Sequence, residues 1–186
     1  MKKIAIIYHS GYGHTEFFAQ QVLEGAKSVS GVSVDLLNIE EAGKKLEQLS
    51  EYDGFIWGSP TYMGSVSGPF KTFMDSTSGL WMKQALNGKA AAGFTVSGSP
   101  SGDKLATLIA MTVFSAQHGL IWVGNSIFPE AYSGVKPEEA ANRLGSFLGA
   151  MAQAAQVAPD QAFLPGDLKT GKLFGEHFAK TVLRIN

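Results

Sequence analysis

The residue types best suited to chemistry in this chain sit in three short, glycine-rich stretches, each directly behind an apolar run. The first, Ser10-Gly11-Tyr12-Gly13-His14-Thr15, offers hydroxyls and backbone N–H groups where a helix should begin. Free N–H groups and the helix dipole at such a point favour a phosphate dianion. The second, Gly58-Ser59-Pro60-Thr61-Tyr62-Met63-Gly64, sets an aromatic ring and a thioether among small residues. That set can border a flat heteroaromatic ring and hydrogen-bond to its edge. The third, Ser97-Gly98-Ser99-Pro100-Ser101-Gly102-Asp103, lets backbone approach a ligand closely. Each stretch also has an ordinary reading as a turn followed by a helix cap, and for Asp103 capping is the preferred one.

The first stretch excludes two common phosphate sites. It has no Lys-Ser/Thr ending, and Glu16 stands where the last glycine of Gly-x-Gly-x-x-Gly would be. A neutral loop for a single terminal phosphate remains. Gly98-Ser99-Pro100-Ser101-Gly102 misses the Gly-x-Ser-x-Gly spacing of a hydrolase elbow by one residue. The four histidines, His9, His14, His118 and His177, show no paired ligand spacing, so no metal site is expected. His9 and His14 are read as hydrogen-bonding a strand end and a helix start. The chain has no cysteine, which excludes disulfides, thiolate catalysis and Cys-held metal clusters.

Composition narrows the remaining classes. The chain has 186 residues, 45% of them hydrophobic and 17% charged, enough for one domain over residues 1–186 with a substantial core. A net charge of -1 argues against nucleic acid, whose binders carry a strongly basic footprint. Glycine is in excess, 22 residues, or about 12% where roughly 7% is usual. The apolar run behind Met1-Lys2-Lys3 ends at Tyr8, too short for a signal sequence. Leu105–Val123 has no Lys, Arg, Asp or Glu, but Gln117-His118-Gly119 cuts it into a helical and a strand-like piece. No membrane association is expected, and a cytoplasmic location is.

The elements that must position these loops follow from periodicity. Strands are predicted at Ile4–Tyr8, Val32–Leu37, Gly54–Trp57, Ala90–Val96 and Leu120–Val123. Between them, Phe18-Val22-Ala26-Val29, Ile39-Ala42-Leu46-Leu49, Val66-Phe70-Phe73-Met74-Thr77 and Leu105–Ala116 fit helices. Residues 124–137 read as a long loop. Pro137-Glu138-Glu139 predicts a helix running to about Val157, and Phe174, Phe178 and Val182 mark a last helix after a linker containing Pro159 and Pro165. Trp57 and Trp122 fall in strand patterns and should be core. Five alternations of strand and helix imply a parallel sheet covered on both faces, because parallel neighbours need crossover connections. The order 2-1-3-4-5 fits five strands, and it brings the three loops to one sheet edge.

These loops, with Phe73-Met74-Asp75, Gly79-Leu80-Trp81 and His118-Gly119, resemble the flavodoxin-like family that includes the tryptophan-repressor-binding-protein-like NAD(P)H:quinone oxidoreductases and related FMN reductases. The likeness runs from Ile4 to about Val123, and Phe174-Gly175-Glu176 adds to it. It implies a three-layer sandwich with a five-stranded parallel sheet. By the resemblance Ser10–Thr15 would hold the FMN phosphate, and Pro60–Gly64 and Ser97–Asp103 would border the flavin ring. His118 would reach the flavin edge, Trp81 would help wall the substrate site, often from a neighbouring subunit, and Tyr12 would lie near the nicotinamide route. NAD(P)H would then donate electrons to a quinone-like acceptor, in a homodimer or homotetramer. Two departures stand out: Gln117 replaces a second histidine, and the family's segment after the fifth strand is not evident in Gly124–Pro137. A flavodoxin-type electron carrier and a noncatalytic FMN-binding protein are the alternatives.

Overall fold

The computed structural model describes residues 1–185. In chain order it begins with β1 (Lys2–Tyr8), α1 (His14–Lys27), β2 (Val32–Asn38) and the short α2 (Ile39–Gly43). Then come β3 (Gly54–Tyr62), β4 (Ser65–Val66), α3 (Gly68–Ser76) and α4 (Ser78–Met82). The chain continues through β5 (Ala90–Ser97), α5 (Lys104–Gln117), β6 (Ile121–Trp122), β7 (Ala150–Gln153) and α6 (Pro165–Arg184).

The sheet order is β2-β1-β3-β5-β6, all parallel, with β7 also parallel to β5 and the two-residue β4 turned back antiparallel on β3. The central strands β1, β3 and β5 are buried on both sides, whereas the edge strand β2 exposes Ser33 and Asp35. In β1, Ile4, Ile6 and Tyr8 face the core beneath α1 and α6, whereas Ala5 and Ile7 face Trp57, Phe70 and Phe114 on the opposite side. This period of two within an unbroken apolar run is what a doubly covered strand requires. Trp57 is fully buried and donates its indole N–H to Ser115 Oγ at 3.0 Å. Trp122 is only partly buried, its N–H donated to the Leu148 carbonyl at 2.8 Å.

Local signals account for the helix ends. Asn38 and Glu41 form a reciprocal capping box at α2, and Ser67 caps α3 ahead of Pro69. Pro165, expected in a linker, instead opens α6 at a position where its missing N–H costs nothing. The helices α1 and α6 approach so closely that a Cβ on Gly25 would stand 1.8 Å from the Lys172 carbonyl oxygen, and one on Gly175 1.9 Å from that of Val22.

One expectation is extended and one is corrected. The fifth strand expected at Leu120–Val123 forms as β6 and pairs with Ala90 and Ala91, and a further strand, β7, pairs with Phe94 to Ser97 after the segment between them loops away. The helix expected over 137–157 does not form; turns lead into β7 instead. Gly145, at φ +67°, and Asn142, at φ +49°, break any helical run. Gly149 is needed at the strand entrance, where a Cβ would lie 2.3 Å from the Gly93 carbonyl oxygen.

Candidate functional site

Parallel strands send their carboxyl ends to one edge, and there the structure opens a cleft of about 500 Å³. Ser10, Tyr12, His14 and Thr15 line it from the loop between β1 and α1. Pro60 and Tyr62 come from the end of β3, Val96, Ser97 and Gly98 from the end of β5, and Ala154, Ala155 and Gln156 from the segment after β7. An adjoining hollow of about 410 Å³ adds Thr61, Ser99 and Gly102. All three glycine-rich loops therefore contribute to one site. Ala154–Gln156 was missed because the expected helix covered it.

The first loop turns at Gly13, whose φ of +86° is left-handed and is followed directly by α1. His14 is pinned by a 2.8 Å hydrogen bond between Nε2 and the Val157 carbonyl, which ties the start of α1 to the segment after β7 rather than capping the helix. Beside it, Gly11 lies against Tyr62, where a Cβ would meet the phenol oxygen at 2.7 Å. Tyr12 is 79% exposed and stands edge-on to Tyr62, ring centres 6.5 Å apart. Thr15 is buried. The hydroxyl of Ser10 is buried without any partner in the protein, which is costly for a polar group unless a ligand completes it.

The second loop is a two-residue hairpin between β3 and β4, with Met63 and Gly64 both at positive φ, +46° and +79°. Such a turn ordinarily carries Asn or Gly, so Met63 holds a left-handed backbone with its thioether fully in solvent. Behind the turn, Ser67 shares a 2.8 Å hydrogen bond with His9 Nδ1, and burial lowers the His9 pKa. Thr61 points inward, its hydroxyl bonded to those of Thr95 at 2.8 Å and Thr107 at 2.7 Å. It thus ties the loop to β5 and α5.

In the third loop, Gln153 on β7 donates its side-chain amide to the Gly98 carbonyl at 3.0 Å. Gly102 has φ +54°, and a Cβ there would lie 2.6 Å from Ser97 Oγ. Asp103 occupies the cap position of α5 in a left-handed conformation, φ +56°, but its side chain caps nothing. The capping role expected of it is not made.

The residues present fit an FMN phosphate and ring. The unpartnered Ser10 hydroxyl and the exposed N-terminus of α1 are donors at one end of the cleft. Aromatic and small residues form its walls, and no Lys, Arg, Asp or Glu is among the lining residues.

Trp81 and His118 are not part of this cleft. They line a separate cavity of about 520 Å³ between α3, α4 and α5. His118 caps the far end of α5, a helix of 14 residues and so roughly 20 Å long, with the third loop at its other end. It is buried, hydrogen-bonded through Nε2 to Thr77 Oγ1 at 2.9 Å and packed edge-on against Phe114. Burial lowers its pKa. Within one chain, then, neither His118 nor Trp81, on the helix α4, lines the three-loop cleft. The other histidine outside the cleft, His177, shares a 3.1 Å hydrogen bond with Ser126 Oγ.

A family model described as NADPH-dependent FMN reductase matches residues 40–133. Flavodoxin FldP of Pseudomonas aeruginosa (strain UCBPP-PA14) is 41% identical over 181 residues, which cover 97% of this chain and 96% of that protein. The crystal structure of a flavodoxin, WrbA-like protein from Agrobacterium tumefaciens superposes over all of both chains with a TM-score of 0.75 and 32% identity. Oxidised Flavodoxin 1 from Bacillus cereus shares the fold, with a TM-score of 0.64 and 20% identity over 96% of this chain and 98% of that one. Among the described residues, no helix is long and apolar enough to cross a membrane.

Proposed function

Because the chain belongs to the flavodoxin-like, WrbA-type FMN-binding family, we propose that it binds FMN in the three-loop cleft and works as a flavodoxin-type electron carrier. The observation that carries this reading is the Ser10 hydroxyl, buried without a partner at the edge where α1 begins. Ser10, Thr15 and the first N–H groups of α1 would hold the phosphate, and Gly11 and Gly13 give it room. Tyr62, Pro60 and the small residues Ser97 and Gly98 would border the ring and exclude water from its faces. Bound FMN would supply the electron chemistry, and the protein would supply position and electrostatics.

A carrier needs one exposed edge of its cofactor. The cleft has no Lys, Arg, Asp or Glu among its lining residues, and the imidazole there, His14, is engaged with the Val157 carbonyl. A second reading, an NAD(P)H-fed reductase of quinone-like acceptors, is favoured by the matched FMN reductase family model. The two separate in one assay. Purified protein should be yellow with one FMN per chain, and a colourless protein that takes up no FMN would sink both readings. FMN-loaded protein that accepts electrons only when a flavoprotein reductase is added is a carrier. Direct oxidation of NAD(P)H with a quinone and no added reductase would make it the enzyme.

A further inference from the structure

A group of buried charges lies behind the third loop, outside the cleft lining. Lys104, the first residue of α5, is fully buried. Its ammonium donates to the carbonyl of Ser99 and, at 3.2 Å, to that of Pro100. Nearby, Arg143 clamps Asp167 with two hydrogen bonds, 2.9 Å from Nε and 2.8 Å from the terminal nitrogen. Asp167 also accepts the Gln153 backbone N–H at 3.1 Å. Arg143 donates at 3.0 Å to Gln153 Oε1, and Gln153 in turn donates to Gly98. Gln153 thus holds the Gly98 carbonyl, and Lys104 holds those of Ser99 and Pro100. In a trans peptide the N–H points opposite to its C=O, so the Ser99 and Ser101 N–H groups face away from those donors.

The set holds two cations and one anion. A buried charge is costly unless something offsets it, and the charges acting on Lys104 are Asp167 from α6, which favours its protonated form, and Arg143 from the segment before β7, which opposes it. Asp103, next to it in the chain, is exposed to solvent. Lys104 therefore has no carboxylate of its own.

We propose that Lys104 is a positioning residue of the cleft, whose buried positive charge holds the third loop and shifts the affinity of the site toward reduced FMN. The inference rests on the FMN reading above. Oxidised FMN takes up two electrons and one proton to reach its anionic reduced form, and a cation behind the loop favours that added negative charge over the neutral oxidised ring. Burial pulls the Lys104 pKa down to about 8, so the preference should be present at neutral pH and fade as pH rises through that value.

The test uses apoprotein titrated with FMN, with dithionite as reductant, and reads the midpoint potential of bound FMN against free FMN at the same pH. In K104M the preference for reduced over oxidised FMN should fall about tenfold, the size expected of a unit charge acting across one loop at an effective dielectric of about 20. That change lowers a two-electron midpoint by about 30 mV, and K104R should restore most of it. In wild type the potential relative to free FMN should fall between pH 7 and pH 9 and should be flat in K104M. If K104M does not fold, K104Q is measured in its place, and an unchanged potential there overturns the proposal. Normal uptake of oxidised FMN with an unchanged potential in K104M overturns the proposal and spares the cleft reading. No uptake by wild type overturns both.

Discussion

Replacing Ser10 by alanine should change stability and affinity in opposite directions. The hydroxyl is buried and unpartnered in the free protein, so its removal takes away a desolvated group that gains nothing from the fold. Such a group costs about 1–3 kcal/mol, and the apoprotein of Ser10→Ala should gain up to that amount. In the FMN complex the same hydroxyl would donate to a phosphate oxygen. Hydrogen bonds to charged groups contribute about 1.5–3 kcal/mol, which at about 1.4 kcal/mol per decade predicts FMN affinity weaker by roughly 10- to 140-fold. Urea unfolding of the apoprotein gives the first quantity, and titration of FMN fluorescence the second. Thr15→Ala added to Ser10→Ala should weaken binding further, because Thr15 lines the same end of the cleft. A Ser10→Ala apoprotein that is less stable than wild type and binds FMN equally well would refute the reasoning, since the hydroxyl would then have a partner inside the protein and none in the ligand.

Gly13→Ala should lower both the melting temperature and FMN affinity, because φ +86° disfavours a side chain by about 1–2 kcal/mol and a Cβ would meet Pro159 at 2.9 Å. Gly175→Ala should destabilise by about 3 kcal/mol through overpacking, given the Val22 carbonyl 1.9 Å from its Cβ position; Gly43→Ala, with nothing within 4 Å, should be neutral in the same urea series. Burial holds the His118 pKa below its ordinary 6.5, so the unfolded chain binds the extra proton first. Its contribution to stability should be complete above about pH 6.5 and be lost as pH falls, and His118→Gln should show a shallower loss in urea unfolding between pH 7 and pH 5.

Much of the framework could be read from the chain because its signals were local. Continuous apolar runs marked the strands, and the glycine-rich stretches behind them marked the cleft. What escaped depended on partners distant in sequence. Pro137-Glu138-Glu139 satisfies the rules for a helix start, yet Gly145 and Gly149 lie inside the expected helix and are its readable contradiction. The alternation of buried Ala150 and Ala152 with Met151 and Gln153 is the period of a strand, short enough to pass for part of an alanine-rich helix. Lys104 offers no sequence signal at all, because a lysine opening a helix is ordinarily solvated and only the fold of the third loop buries it. His118, singled out by the family pattern His118-Gly119, stands at the far end of α5 from the third loop and lines, with Trp81, the cavity between α3, α4 and α5.

The glycine excess serves two purposes that meet in α1. Gly11 and Gly13 open the cleft at the start of this helix, and Gly25 lets its last turn lie against Lys172 of α6. Gly171 and Gly175 on α6 complete the contact against Phe18, Val22 and Ala26. A helix of 14 residues behaves as a rod of roughly 20 Å, so the contact at one end helps set where the other end points. The N–H groups at its start gain their value for a phosphate from that direction. Packing glycines remote from the cleft are therefore tied to it through α1, whereas Gly93, on β5 against Met111 and Trp122, packs on the side of the sheet away from α1 and α6. Loss of FMN affinity on filling the α1–α6 contact, beyond what the same loss of stability at Gly93 produces, is the consequence that separates a helix held in aim from one merely held in place.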